Sequence, residues 1–235
     1  MKLYKNKKYI YPEKATETFD NANFHIKYCI SFIKKYIFGD IIEVGAGCGS
    51  FTRNYFNNKV NSLILNDKDK KNIKILIQKY KKYKKITIKS QPIQKIKKKF
   101  NTILYFHVLE HIKEDKLEIA KATKKLKKNG ILIILSPAHQ QMYSNLDKIV
   151  GHYRRYNINF FKQKFNKLKM IDLRYLDAGG YFLYYLNKIF FKNDGYPSKI
   201  KIFVWDKIFT PLSILIDFML RYKIGKCILA VYKKY

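Results

Sequence analysis

With 235 residues, 47% of them hydrophobic, the chain is the size of one α/β domain and can bury a sizeable core on its own. Its three cysteines, Cys29, Cys48 and Cys227, are scattered and odd in number, which excludes a disulfide framework or a paired-cysteine zinc site and fits a reducing cytoplasm. The formal net charge of +32 invites a nucleic-acid partner, but the lysines are spread over nearly every segment, as on the solvated faces of a compositionally biased chain, rather than gathered in a patch.

Tyr28, Cys29, Phe32, Ile33 and Tyr36 share one helical stripe, so an amphipathic helix is expected over about 14–36. The period then changes. Strands are expected at 41–45, 63–67, 86–88, 102–106 and 131–135, the last two being the continuous apolar runs of parallel strands covered on both faces. Helices are expected between them at 50–57, about 69–80 and about 113–127, the last stopped by Asn129 and Gly130. A polar, aromatic loop (136–156) precedes a helix near 158–168, a strand near 170–176, an aromatic helical stretch from 180 to about 222 and a final strand, 227–232. Strands alternating with helices imply βαβ units and a mostly parallel sheet.

Gly45, Gly47 and Gly49 follow the first strand and precede a helix, where missing Cβ atoms let backbone amides approach an anionic, nucleotide-like ligand. A tight turn without a ligand would use the same residues. Dinucleotide binders place their third small residue one position later, at Ser50, whereas here it is Gly49 and an acid, Glu43, stands two residues before the first glycine. Glu43 can accept hydrogen bonds from the loop amides. Asp67, at the end of the second strand, can accept two ribose hydroxyls or cap the following helix; Asp69 is the better cap.

The E-x-G-x-G-x-G arrangement over 43–49 resembles motif I of class I methyltransferases. FNTILYFHVLEHI (100–112) followed by KKLKKNGILIILSPAHQQMYSNLDKIVGHYRRY (124–156) resembles a bacterial methyltransferase subfamily with V-L-E-H and G-H-x-R-R-Y segments, and the likeness covers most of 38–178. The chain departs from that pattern at Asn101 in place of an acid, at Met142 in place of Leu, at Lys128-Asn129 before Gly130 and in having no acid at 90–92, where Gln91 becomes the candidate for the adenine contact. The resemblance implies a Rossmann-like α/β fold with a seven-stranded, mostly parallel sheet, helices on both faces and a helical insertion before the last strand. It also implies S-adenosylmethionine as donor, held by Glu43, Gly45, Gly47, Gly49, Asp67 and Gln91, with the methionine end near Tyr105 and Phe106.

His107, Glu110 and His111 occupy one turn just past a strand's carboxyl end, and are the candidate catalytic residues; His111 is the preferred base, with a bracing role for Glu110 and His111 as the alternative. The His107-x-x-Glu110-His111 turn is also similar to the E-x-x-E-H turn of quinone-biosynthesis O-methyltransferases, a family that uses a divalent metal; His107 replaces the first acid, and no metal is assigned. His107, His111, His139 and His152 should meet at the sheet edge as an acceptor pocket, with Tyr143, His152, Arg154, Arg155 and Tyr156 as acceptor-binding residues. Asp147 is expected to clamp one arginine, leaving the other for an acceptor carboxylate or phosphate.

One domain is expected over 1–235: an N-terminal helical segment (1–38), a cofactor-binding core (39–178), a helical, aromatic insertion (179–224) and the last strand (225–235). The function expected is methyl transfer to an O or N atom of a small-molecule, glycan or lipid-linked acceptor. An RNA methyltransferase and a non-catalytic binding protein are the alternatives; nucleic acid has less support because no N/D-P-P-Y/F or Pro-Cys segment occurs. The N-terminus lacks a signal-peptide core, and Asp and Lys interrupt the most apolar stretch (200–220), so neither export nor a membrane span is expected. Aromatic residues alternating with lysines in 180–222 suggest a cytoplasmic chain that also touches the inner face of the membrane, or a cap packed onto the domain.

Overall fold

The computed structural model describes residues 22–191 and 198–235. Among these, the strands β1 Gly39–Val44, β2 Val60–Asn66, β3 Ile86–Lys89, β4 Phe100–Phe106, β5 Leu126–Pro137, β6 Leu168–Leu176 and β7 Cys227–Lys234 form one sheet in the order β3-β2-β1-β4-β5-β7-β6. Neighbours from β3 to β5 pair in parallel, and β7 runs antiparallel to both β5 and β6. The helices are α1 Asn23–Ile33, α2 Thr52–Tyr55, α3 Lys70–Tyr80, α4 Asp115–Lys125, α5 Asn145–Val150, α6 Ile158–Lys162, α7 Ala178–Phe191, α8 Lys199–Val204 and α9 Thr210–Met219. This is the α/β class expected, with helices ahead of the last strand.

The central strands read as unbroken apolar runs because alternate residues pass to opposite, equally covered faces. Ile41, Leu63, Leu65, Leu104, Ile133 and Leu135 pack against Ile26, Ile30 and Ile33 of α1 and Leu76 and Tyr80 of α3. Ile42, Ile64, Ile103, Leu132 and Ile134 pack against Ile119 and Ala122 of α4. Emptying such a site, as Leu104→Ala would, costs about 2–5 kcal/mol.

Among the described residues, several expected elements shift their bounds. The first helix is present as α1 with a tighter turn over Lys34–Tyr36, and its expected residues 14–21 lie outside the described residues. The 50–57 helix contracts to Thr52–Tyr55, and the 158–168 helix stops at Lys162. The pair Asn129 and Gly130 does not end a helix: α4 stops at Lys125, β5 begins at Leu126, and Asn129, at φ 61°, sits in a register shift between Phe100 and Thr102 pairing. Asn tolerates this left-handed backbone, so the dipeptide serves as a kink within the strand.

Parallel pairing brings the carboxyl ends of β1, β2, β4 and β5 to one edge, and β6 ends there too because both it and β5 oppose β7. The 178–219 helices are therefore inserted at that edge. They are pinned to α1 by buried acids. The Asp217 carboxylate accepts from the Tyr28 hydroxyl (2.6 Å) and from the Asp177 and Ala178 amides (2.7 Å each), and Asp206 accepts from the His25 amide at 2.9 Å. Asp177 accepts from the Gly180 amide, the Ser213 hydroxyl and the Trp205 indole; burial nevertheless raises its pKa to about 6.

Candidate active site

The turn after β1 is built by three glycines in left-handed backbone, at φ 68°, 56° and 78° for Gly45, Gly47 and Gly49. The Gly45 and Ala46 amides donate to the Asn66 carbonyl at the end of β2, and the Tyr80 hydroxyl of α3 donates to the Gly49 carbonyl. The glycines differ in surroundings. A Cβ on Gly45 would lie 2.5 Å from Val108, one on Gly49 2.7 Å from Tyr80, but one on Gly47 would meet nothing within 4 Å. Gly47 alone of the three therefore faces an open crevice.

Asp67 forms the wall beside it. Its carboxylate accepts from the Gly47 amide and the Asp69 amide, both at 2.8 Å, and burial raises its pKa against those bonds. Asp69, as expected, caps α3 by accepting from the Lys71 amide. Glu43 does not hold the loop amides: it is buried beneath the turn and accepts from the hydroxyls of Thr52 (2.6 Å) and Tyr55 (2.5 Å). Burial pushes its pKa up to about 7, although both hydroxyls oppose the rise. The Gln91 backbone amide donates to the Asn66 side-chain oxygen at 3.3 Å. At the end of β4 the Phe106 ring stacks on Phe51 at 4.5 Å, whereas the Tyr105 side chain is buried on the opposite face with its hydroxyl on Glu118. Only the Tyr105 backbone can reach the crevice, because successive strand residues point to opposite faces.

Beyond β4 the chain turns sharply at His107, φ 54°, into a short turn, Leu109–His111. Glu110 is fully buried and neither of its carboxylate oxygens has a hydrogen-bond partner. Histidines surround it: His107 Nδ1 lies 3.7 Å and His152 Nε2 3.9 Å from Glu110 Oε1. Burial would raise its pKa, but His107, His152 and His111 together hold it below the ordinary value. The His111 Nδ1 faces the Gly151 carbonyl at 3.3 Å, its ring meets that of His152 edge-on at 4.6 Å, and burial lowers its pKa to about 4. His107 is more open, with its side chain 34% exposed and its ring beside Phe51.

The 138–156 segment closes over this turn. Asp147 accepts from Arg155 Nε and Nη2, both at 2.9 Å, and contacts His152 Nδ1 at 2.6 Å, while also completing a capping box with Ser144. Arg155 is thus the clamped arginine. Arg154 is not left over for an acceptor either: it donates to Asp115 and to the Ile112 and Lys113 carbonyls. Within this segment the buried Arg155 Nη1 has no hydrogen-bond partner among the described residues. The Tyr156 hydroxyl reaches the Leu109 carbonyl and Asp115, and the Tyr143 hydroxyl donates to the His152 carbonyl, so both tyrosines brace the segment. His139 lies apart, stacked on Tyr175 at 4.8 Å and contacting the Gly225 carbonyl.

The residues around this edge match a family model described as a methyltransferase domain over residues 22–168. The chain belongs to that family. No curated protein matches the methyltransferase by sequence. Solved structures share its fold: the N-methyltransferase NodS from Bradyrhizobium japonicum in complex with S-adenosylhomocysteine (14% identity, 95% of this chain and 92% of that one, TM-score 0.58). An S-adenosylmethionine-dependent methyltransferase from Clostridium acetobutylicum is similar at 14% identity, 92% of each chain and TM-score 0.55. The YcgJ protein from Bacillus subtilis matches at 14% identity, 89% of this chain and 98% of that one, TM-score 0.58.

The fold brings together side chains whose proximity the sequence does not show. His25 of α1, His107 and Cys227 bring ligating atoms within 4.8 Å of one another, as do Glu110, His111 and His152; these are the described groups able to hold a metal ion. His25, four residues before Cys29, carries no signal in the sequence, which does not show that its helix meets the end of β4 and the start of β7. Phe51 and Asn66 had no chemical signature, yet one stacks over the crevice and the other anchors both the glycine turn and Gln91.

Proposed function

We propose that this methyltransferase moves a methyl group from S-adenosylmethionine to an O or N atom of a small-molecule, glycan or lipid-linked acceptor at the carboxyl edge of the sheet. S-adenosylmethionine is the donor and supplies a sulfonium carbon open to in-line attack. Gly47 gives it a floor without a Cβ, Asp67 lies where its ribose hydroxyls can be accepted, and Gln91 stands beside the adenine end. Phe106 and the Tyr105 backbone flank the methionine end, and Phe51 helps exclude water.

The acceptor would enter between the His107 turn and the 138–156 segment. His107, the more open of the two and 3.7 Å from the Glu110 carboxylate, is the better-placed proton acceptor there, because His111, with its pKa held near 4 by burial, is a weak base. Tyr143, His152, Arg154 and Tyr156 shape the pocket, and the Arg155 Nη1 hydrogens are available to an anionic acceptor group.

The open face at Gly47 beside Asp67 carries this reading. Calorimetric titration with S-adenosylmethionine tests it: one donor bound per chain is expected, and absence of binding would remove the enzymatic reading and favour a non-catalytic one. Competition by tRNA at physiological salt would instead favour an RNA acceptor.

A further inference from the structure

The insertion contains a helix that is inside out. From Lys199 to Met219 the chain runs as continuous helix, α8 and α9 joined by a wider turn at Trp205–Phe209. Its inward stripe is Ile202, Trp205, Asp206, Thr210, Ser213 and Asp217, so over α9 the buried residues are all polar. Asp217 and Ser213 are hydrogen-bonded to α1 and to the start of α7, which offsets their burial, while the Thr210 hydroxyl has no partner among the described residues. The outward face carries Ile200, Phe203, Ile208, Leu212, Leu215 and Phe218, between 45 and 75% exposed. A helix on a water-soluble surface has the opposite polarity, and a contiguous apolar face of this kind marks an interaction site.

Charge identifies the partner. Lys199, Lys201, Lys207, Arg221 and Lys223 are exposed along the same run, while its two acids, Asp206 and Asp217, are buried. Apolar side chains interleaved with cations and no exposed acid complement an anionic lipid surface, where the apolar atoms enter the headgroup boundary and the lysines reach phosphates. No described helix is long and apolar enough to cross a membrane, so the face would lie in the interface rather than span it.

We propose that the Lys199–Met219 helix docks the protein on an anionic phospholipid bilayer and so presents the carboxyl-edge site to a lipid-linked acceptor. The docking stands by itself; only the class of acceptor rests on the methyltransferase reading.

The test is flotation of the untagged full chain with phosphatidylcholine vesicles with and without phosphatidylglycerol, at low and high salt. Wild type should float with the anionic vesicles and be released by salt. The double variant Phe218→Ser and Met219→Ser changes only well-exposed side chains and should lower partitioning at least tenfold while leaving the melting temperature unchanged. No retention on anionic vesicles at low salt overturns the proposal. So does equal retention of the double variant, which would mean adsorption by bulk charge. A dimer that the double variant converts to monomer, without vesicle binding, would assign the face to a second copy of the chain. Titration of the same samples with S-adenosylmethionine separates the two ideas, since vesicle binding without donor binding leaves docking standing and removes the enzymatic reading.

Discussion

Replacing each loop glycine by alanine separates a ligand crevice from a merely tight turn. All three residues have positive φ, so a Cβ at any of them costs roughly 1–2 kcal/mol of backbone strain. At Gly47 that is the whole cost, because the added methyl meets no atom within 4 Å. At Gly45 and Gly49 the methyl would lie 2.5 Å from Val108 and 2.7 Å from Tyr80, and overpacking adds about 1–3 kcal/mol. Calorimetric melting should therefore show Gly47→Ala as the mildest of the three, lower than wild type by roughly 2–4 °C for each kcal/mol lost. Donor affinity should rank the other way. The Gly47 methyl would occupy the space a bound nucleotide needs, so Kd measured by titration should rise about 10–100-fold, or about 1.4–2.8 kcal/mol. Wild-type affinity in a folded Gly47→Ala protein would refute the placement of the donor, and a Gly45→Ala protein as stable as Gly47→Ala would refute the packing beneath it.

Further substitutions probe the neighbouring parts. Arg155→Met should destabilise the fold by about 3–5 kcal/mol in urea denaturation, since it leaves the nearly buried Asp147 without its bidentate partner; Arg154→Met, at a more exposed pair, should cost less, and equal losses would contradict the clamp. Tyr105→Phe should leave donor affinity unchanged, because its hydroxyl sits on Glu118 rather than in the crevice; a tenfold weaker titration would place that side chain wrongly. The folded pKa of Glu43 is about 7 against 4.5, so the fold retains a proton that the unfolded chain releases, and its contribution to stability is full below pH 4.5 and falls as pH rises to 7. The stability of Glu43→Gln relative to wild type should thus rise over that window by up to about 1.4 kcal/mol per pH unit. His25 has the opposite sign: its folded pKa is near 3 against 6.5, so stability it confers is lost as pH falls from 6.5, and His25→Gln should gain on wild type as the solution is acidified; a flat difference in either denaturation series would contradict the burial that sets these shifts.

The alternation of strands and helices, the glycine turn and the acids at 43 and 67 were legible in the sequence because their causes are local. An apolar run such as 102–106 must be covered on both faces wherever it sits, and glycine at positive φ is needed by the turn itself. Partner choice is not local. Nothing in the dipeptide Arg154-Arg155 distinguishes the arginine that meets Asp147 from the one that meets Asp115, 39 residues away. The same holds for Asn129 and Gly130, whose left-handed preference suits a helix end and a strand kink equally well.

The sequence by itself determined the fold class, the family resemblance and the edge of the sheet at which chemistry can occur, since these follow from hydrophobic period, connection order and backbone freedom. Tertiary structure decided which glycine faces open space, which side of β4 carries Tyr105, how His25 of α1 meets His107 and Cys227 while His107, His111 and His152 gather around Glu110, and that the 199–219 helix turns its apolar side outward. Those outcomes depend on which surfaces come together across the sheet edge, and burial, hydrogen bonding and charge act there between residues that the chain order keeps far apart.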